Sequence, residues 1–286
     1  KPLTLRGRLL GAEKSPLVCV PLVGRNAPQL LDELDRVRVA RPDLIEWRAD
    51  FLEESLTVAQ WLAIAAQLQA AAAELPLIFT WRSAAEGGQV VANDAASVCE
   101  INTAMAASGL FALIDLESAS DRAFREPVVQ AARRTGTAII LSRHDFATTP
   151  SIATMLEWFA LAQQLGADVA KVAVMPQQDE DVLSLLAATA QASRSLRIPL
   201  ISMAMGARGA LSRIFGHQFG SSVTFAAGVA PSGYVYSFNG PQSLFADTIR
   251  SMRSLVVAHQ LGHVLMGEGD KPVNLLHRAI DRKSVV

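Results

Sequence analysis

Eight short apolar runs, each followed by a segment of helical spacing, constrain the fold of this 286-residue chain more than any other feature. The runs cover residues 17–23, 44–49, 77–81, 111–116, 138–142, 169–174, 199–205 and 223–226. Between and after them apolar residues recur three and four apart, as Leu30, Leu31, Leu34 and Val37 do within 28–40. Near-continuous apolar strands are those covered on both faces of a parallel sheet. Strand and helix alternating eight times, with no break in composition, predict an α/β fold closed into a (β/α)8 TIM barrel. No linker-like stretch interrupts residues 16–262, so residues 1–286 are expected to form a single catalytic domain. A short hairpin is expected before the barrel, a last helix over 243–261, and a tail over 263–286.

Composition removes several classes of partner. The net charge is −1, which leaves no basic footprint for nucleic acid and no polybasic patch for a membrane surface. The most apolar stretch, 62–81, is interrupted by Gln67, Gln69, Glu74 and Pro76, so it reads as helix, turn and strand rather than a membrane span. The first residues do not resemble a signal peptide, and a cytoplasmic location is expected. Cys19 and Cys99 have neither metal-ligand spacing nor a disulfide framework and read as buried thiols. Neither a metal nor a cofactor is expected.

In a barrel of this kind the chemistry sits at the carboxyl ends of the strands, and this chain concentrates polar groups there. Glu46, Arg48 and Asp50 alternate onto one face of the second run. Arg82 ends the third, with Glu86 in the loop beyond; Asp115 and Glu117 end the fourth. The fifth ends Ser142-Arg143-His144-Asp145-Phe146, and the seventh carries Ser202, Met203 and Met205 with Arg213 downstream. Lys171 lies within the apolar run 167–175. It either snorkels to water from an edge position or is buried, where desolvation favours a neutral, nucleophilic amine suited to imine chemistry. Charges kept at the rim for solubility account for Glu53, Glu54 and Asp121. They do not account for Glu46, Arg48, Arg82, His144 and Lys171, which sit in or directly after apolar runs. Asp50 and Asp115 read as substrate contacts or ion-pair partners. Met203 and Met205 read as a pocket wall or as core. Asp145 alternates away from His144, and His217, His259, His263 and His277 read as structural or exposed.

Taken together, these segments resemble the type I 3-dehydroquinate dehydratases, lyases that work through a lysine imine. The resemblance rests on Glu46-Trp47-Arg48-Ala49-Asp50, Thr80-Trp81-Arg82, Glu86-Gly87-Gly88, Ser142-Arg143-His144-Asp145-Phe146, Ala170-Lys171-Val172-Ala173, Met203-Ala204-Met205-Gly206, Ser212-Arg213 and Val223-Thr224-Phe225. It runs from about residue 16 to about residue 255. It implies that 3-dehydroquinate loses water to give 3-dehydroshikimate, in shikimate biosynthesis or quinate breakdown, in a homodimeric enzyme. Lys171 would form the imine, His144 would act as general acid and base, and Glu86 would orient His144. Glu46, Arg48 and Arg82 would hold ring hydroxyls, and Arg213 the carboxylate. Met203, Met205 and Phe225 would form an apolar wall that keeps Lys171 neutral.

Those residue types suit the chemistry. An imine acidifies the neighbouring C–H, an imidazole can both take and return a proton near neutral pH, and a guanidinium fork fits a carboxylate. The last loop departs from the family's Ser-Ala-Pro-Gly-Gln. Counting forward from Phe225 places the serine at Ser232, and counting back from Ala246-Asp247 places the glutamine at Gln242, which requires an insertion. Without one, Tyr236 takes the glutamine's place; Ser237 is the other candidate serine. Two other classes compete. A class I aldolase acting on sugar phosphates would want a phosphate cradle, for which Gly206-Ala207-Arg208-Gly209 has the wrong surroundings. A non-catalytic metabolite sensor would not require Lys171, His144 and Glu86 together.

Overall fold

The computed structural model describes residues 2–11, 16–53, 56–89 and 93–226. The expected helix over 243–261, the tail, and Ser232, Tyr236, Ser237 and Gln242 lie outside the described residues. The chain starts with an antiparallel hairpin, β1 (Leu3–Leu5) and β2 (Arg8–Leu10). Its two-residue turn, Arg6-Gly7, has positive φ at both positions, 45° and 82°, the conformation whose twist matches a tight hairpin. Leu5 and Leu10 project from it into a core shared with Leu17, Leu44, Leu113 and Val169 near the starts of the barrel strands. Arg8 is tied to Asp43 at 2.8 Å, and the other Asp43 oxygen accepts the Val18 N–H at 2.9 Å. The hairpin thereby plugs the amino-terminal end of the barrel.

The barrel strands are β3 (Leu17–Leu22), β4 (Leu44–Arg48), β5 (Leu77–Thr80), β6 (Leu113–Glu117), β7 (Ala138–Asp145), β8 (Val169–Val174), β9 (Leu200–Ala204) and β10 (Val223–Phe225). All their pairings are parallel, in the order β10-β3-β4-β5-β6-β7-β8-β9. A parallel bridge between Leu200 and Ser221, with Ser222 N–H donating to the Leu200 carbonyl at 2.7 Å, brings the two ends of the sheet together. This is the expected (β/α)8 barrel. β7 runs three residues past the expected 138–142, because Arg143, His144 and Asp145 continue the ladder with Val172, Ala173 and Val174.

Among the described residues, seven helices cross between the strands: α1 (Ala27–Arg38), α2 (Val58–Ala72), α3 (Ala95–Ser108), α4 (Arg122–Thr135), α5 (Ile152–Gln164), α6 (Asp179–Ser195) and α7 (Ala210–Phe215). Local chemistry sets several starts. Asn26 caps α1 through the Gln29 N–H, and Thr57 and Gln60 form a reciprocal capping box at α2. Outward-facing aromatics fill the layer between sheet and helices. Trp47 of β4 lies 5.5 Å from both Trp61 of α2 and Phe79 of β5, and Phe111 joins them. Truncating a buried ring of this size typically costs about 3–5 kcal/mol. With that layer dry and rigid, the inward alternation of each strand is free to carry polar groups at its carboxyl end. No helix of the described residues is long and apolar enough to cross a membrane.

Candidate active site

Inward alternation places Lys171 of β8 one strand away from Ser142 of β7, and Asp115 and Glu117 of β6 beyond it. Lys171 is only 4% exposed, which removes the snorkelling reading. Its Nζ donates to Asp115 Oδ2 at 2.8 Å and reaches Glu46 Oε1 at 3.5 Å, with the Phe225 ring centroid 4.5 Å away. Phe225 lines the amine on one side, and the carboxylates of Asp115 and Glu46 face it on the other.

Asp115 is the hub of this layer. Its Oδ1 accepts Arg82 Nη2 at 2.8 Å and the Ser142 hydroxyl at 2.6 Å, while Ser142 accepts Arg82 Nη1 at 2.8 Å. Arg82 also reaches Glu117 at 3.3 Å. Burial acts to raise the Asp115 carboxyl, but Arg82 and Lys171 outweigh it and hold the group well below the usual carboxylate range. Thr80 donates to Glu46 Oε1 at 2.9 Å, so Glu46 is oriented as well as close to the amine. Sequence reasoning left Asp115 open between two roles and missed Ser142 and Thr80 as structural parts. The signal was present: Asp115 is two residues on from the inward Leu113, and Ser142 two on from Ile140.

His144 points inward from the end of β7, diagonal to Lys171. The register pairs His144 with Ala173 and Ser142 with Lys171, which puts the two Cα atoms roughly 8 Å apart across adjacent strands. Glu86 Oε2 accepts both the His144 backbone N–H at 3.1 Å and its ring Nδ1 at 2.8 Å. With Nδ1 committed to the carboxylate, Nε2 is the nitrogen left for chemistry. Burial, then the charges of Arg82 and Lys171, push the imidazole well below its ordinary value. Burial, then repulsion from Glu117, push Glu86 up to about 7, against the pull of Arg82 and Arg143.

Glu86 ends the short 3-10 turn Ala84–Glu86, which closes on Gly87 at φ 81°. A Cβ on Gly87 would lie 2.2 Å from the Phe146 ring, so only glycine lets that ring settle over the turn. Phe146 stacks at 24° to the His144 ring with centroids 6.1 Å apart. Asp145, which faces away from His144, accepts the N–H groups of Ala147 and Thr148 and forms the turn that presents Phe146.

Arg48 forms a two-pronged pair with Asp50, both contacts at 2.8 Å. Asp50 lies in a 3-10 turn, Ala49–Phe51, and also accepts the Arg82 and Gln89 N–H groups, so it belongs to the supporting ion-pair layer. Met203 is buried in the barrel core, with Met205 and Phe225 packed against it. Arg213 of α7 donates Nη1 to the Phe225 carbonyl at 3.0 Å, and its Nε has no partner among the described residues. Burial pulls this guanidinium below its ordinary value, a cost that an incoming anion would relieve. No cluster of three metal-ligating side chains occurs among the described residues.

Comparisons with known proteins agree with this geometry. The family model for type I 3-dehydroquinase matches residues 18–255. The chain is 45% identical to a 3-dehydroquinate dehydratase of Albidiferax ferrireducens, over 81% of this chain and 88% of that protein. It is 43% identical to that of Aromatoleum aromaticum, over 80% and 88%. The crystal structure of the Geobacillus kaustophilus 3-dehydroquinate dehydratase superposes with a TM-score of 0.80 at 38% identity, covering 90% of this chain and 97% of that one. A type I enzyme from Clostridium difficile, solved with covalently modified comenic acid, superposes with a TM-score of 0.81 at 30% identity, covering 90% and 99%. With the family model matched over residues 18–255 and a 3-dehydroquinate dehydratase 45% identical over 88% of its own length, the chain belongs to the type I 3-dehydroquinase family.

Proposed function

We propose that this protein converts 3-dehydroquinate to 3-dehydroshikimate through an imine on Lys171. The observation that carries the reading is the buried Lys171–Asp115 pair beside a His144 whose Nδ1 is held by Glu86, which leaves Nε2 as the nitrogen for proton transfer. Attack by the amine on the ring ketone and loss of water turn an ammonium into an iminium, so the positive charge facing Asp115 is the same before and after. Asp115 can stabilise both without moving. The iminium draws electrons from the adjacent C–H bond. His144 Nε2 takes that proton, giving a neutral enamine, and returns it to the departing hydroxyl, which leaves as water. Hydrolysis of the product imine frees Lys171.

Arg213, whose Nε has no partner among the described residues, is the group suited to the substrate carboxylate. Glu46, Arg48 and Arg82 suit ring hydroxyls, and Met203, Met205 and Phe225 suit an apolar side of the substrate; Ser232 and Gln242, which the resemblance makes loop contacts, lie outside the described residues. The protein acts as a homodimer of single-domain subunits in the cytoplasm. The test is the absorbance of the conjugated enone product formed from 3-dehydroquinate. Wild type should produce it and Lys171→Ala should not; an inactive wild type, or a fully active variant, would overturn the assignment.

A further inference from the structure

The outward face of β7 carries a charge that neither the packing nor the reaction above uses. Arg143 alternates away from His144 and lies across Trp158 of α5, its guanidinium carbon 5.4 Å from the ring centroid. From that seat Nη1 comes within 3.7 Å of Glu86 Oε1. Oε1 is buried and accepts no hydrogen bond among the described residues, whereas Oε2 carries both His144 contacts. At 3.7 Å the contact is one of charge rather than a hydrogen bond. An ionised carboxylate in so dry a place needs counter-charge. The other cation near it, Arg82, is 3.8 Å from Oε2 and already bonded to Asp115, Ser142 and Glu117.

We propose that Arg143, braced on Trp158, is a positioning residue of the proton relay, supplying the counter-charge that keeps Glu86 ionised and able to hold the His144 ring. The proposal rests on the dehydratase reading for its consequence in turnover, but not for the contact itself. Glu86 faces Glu117, Asp115, Arg82 and Arg143; His144 faces Arg82, Lys171, Asp115 and Arg48. Taking Arg143 away leaves burial, Glu117 and Asp115 opposed by Arg82 as the one other cation named at Glu86, so Glu86 binds its proton at higher pH. A protonated Glu86 offers the Nδ1–H only a neutral oxygen, a weaker acceptor, and His144 loses the charge-assisted contact that orients it as a base. The arginine side chain is 37% exposed, so solvent screens the pair. The expected displacement is about one pH unit, a ten-fold change in proton affinity.

The experiment compares full-length wild type, Arg143→Met and Arg143→Lys. The acidic limb of the kcat pH profile with 3-dehydroquinate should move up by about one unit in Arg143→Met. It should return at least halfway in Arg143→Lys, with KM little changed because Arg143 does not face the substrate. In parallel, the His144 ring is titrated by NMR in the ligand-free proteins, its signal assigned by loss in His144→Asn. Its inflection should show the same ordering. A lower kcat with an unmoved limb, or a lysine variant displaced as far as the methionine one, overturns the proposal. If wild type fails to dehydrate 3-dehydroquinate, the dehydratase reading falls, and the ligand-free titration still decides the role of Arg143.

Discussion

Replacing Asp115 by Asn keeps the size of the side chain and removes the one charge that two buried cations share. Arg82 and Lys171 each lie 2.8 Å from a different Asp115 oxygen, and the carboxylate is fully enclosed. Asn can still accept from Arg82 and Ser142, but it presents an N–H₂ or an uncharged oxygen to Lys171. Removing one partner of a buried ion pair typically costs about 3–5 kcal/mol, a large share of a total stability of about 5–15 kcal/mol. For a domain of this size that corresponds to a fall in Tm of roughly 6–20 °C. Urea unfolding at fixed pH provides the assay. The pH dependence has a definite sign. The folded Asp115 carboxyl lies below its unfolded value, so its contribution is full above about pH 4–5 and is lost as pH falls through the folded value. The gap between wild type and Asp115→Asn should therefore be flat from pH 7 to 5 and shrink in stronger acid. A gap under about 1 kcal/mol at pH 7, or one that widens on acidification, would refute the hub role.

Three further outcomes follow from named contacts. Glu33 is enclosed under the loop after β3, accepts the Val23 and Gly24 N–H groups at 2.8 and 2.9 Å, and is pushed by burial from an ordinary 4.5 up to about 7. Its folded value lies above the unfolded one, so it costs stability as pH rises from 4.5 to about 7. Glu33→Gln should be about 1–3 kcal/mol more stable than wild type at pH 8 and no better at pH 4, as read by urea unfolding. Gly87→Ala drives a Cβ to 2.2 Å from Phe146 at a positive φ, and thermal unfolding should show a loss of about 1–3 kcal/mol. Arg213→Leu removes a charge-assisted contact worth about 1.5–3 kcal/mol, so KM for 3-dehydroquinate should rise roughly 10- to 150-fold with a smaller change in kcat.

The barrel was legible in the sequence because parallel strands covered on both faces must be apolar along their length, and the runs at 169–174 and 138–142 stand out on that ground alone. Strand alternation also put Glu46 and Arg48 on one face and turned Asp145 away from His144. The pairing of those groups was not legible. Asp50 follows Arg48 at strand spacing, yet the chain leaves the strand there and the 3-10 turn folds its carboxylate back onto Arg48. Asp115 as a hub depends on which strands are neighbours and at what register, information that lies between segments. Arg143 alternates with the inward His144 along β7, yet its long side chain brings its charge within 3.7 Å of Glu86. Long cations report their Cα position in the sequence, not the position of their charge.

The most direct measurement is the mass of the protein after borohydride reduction in the presence of 3-dehydroquinate, followed by peptide mapping. Trapping is predicted to add one reduced ligand to the peptide carrying Lys171 and to nothing in Lys171→Ala. An unmodified Lys171 under conditions of full turnover, or the same adduct formed elsewhere in Lys171→Ala, would contradict the account.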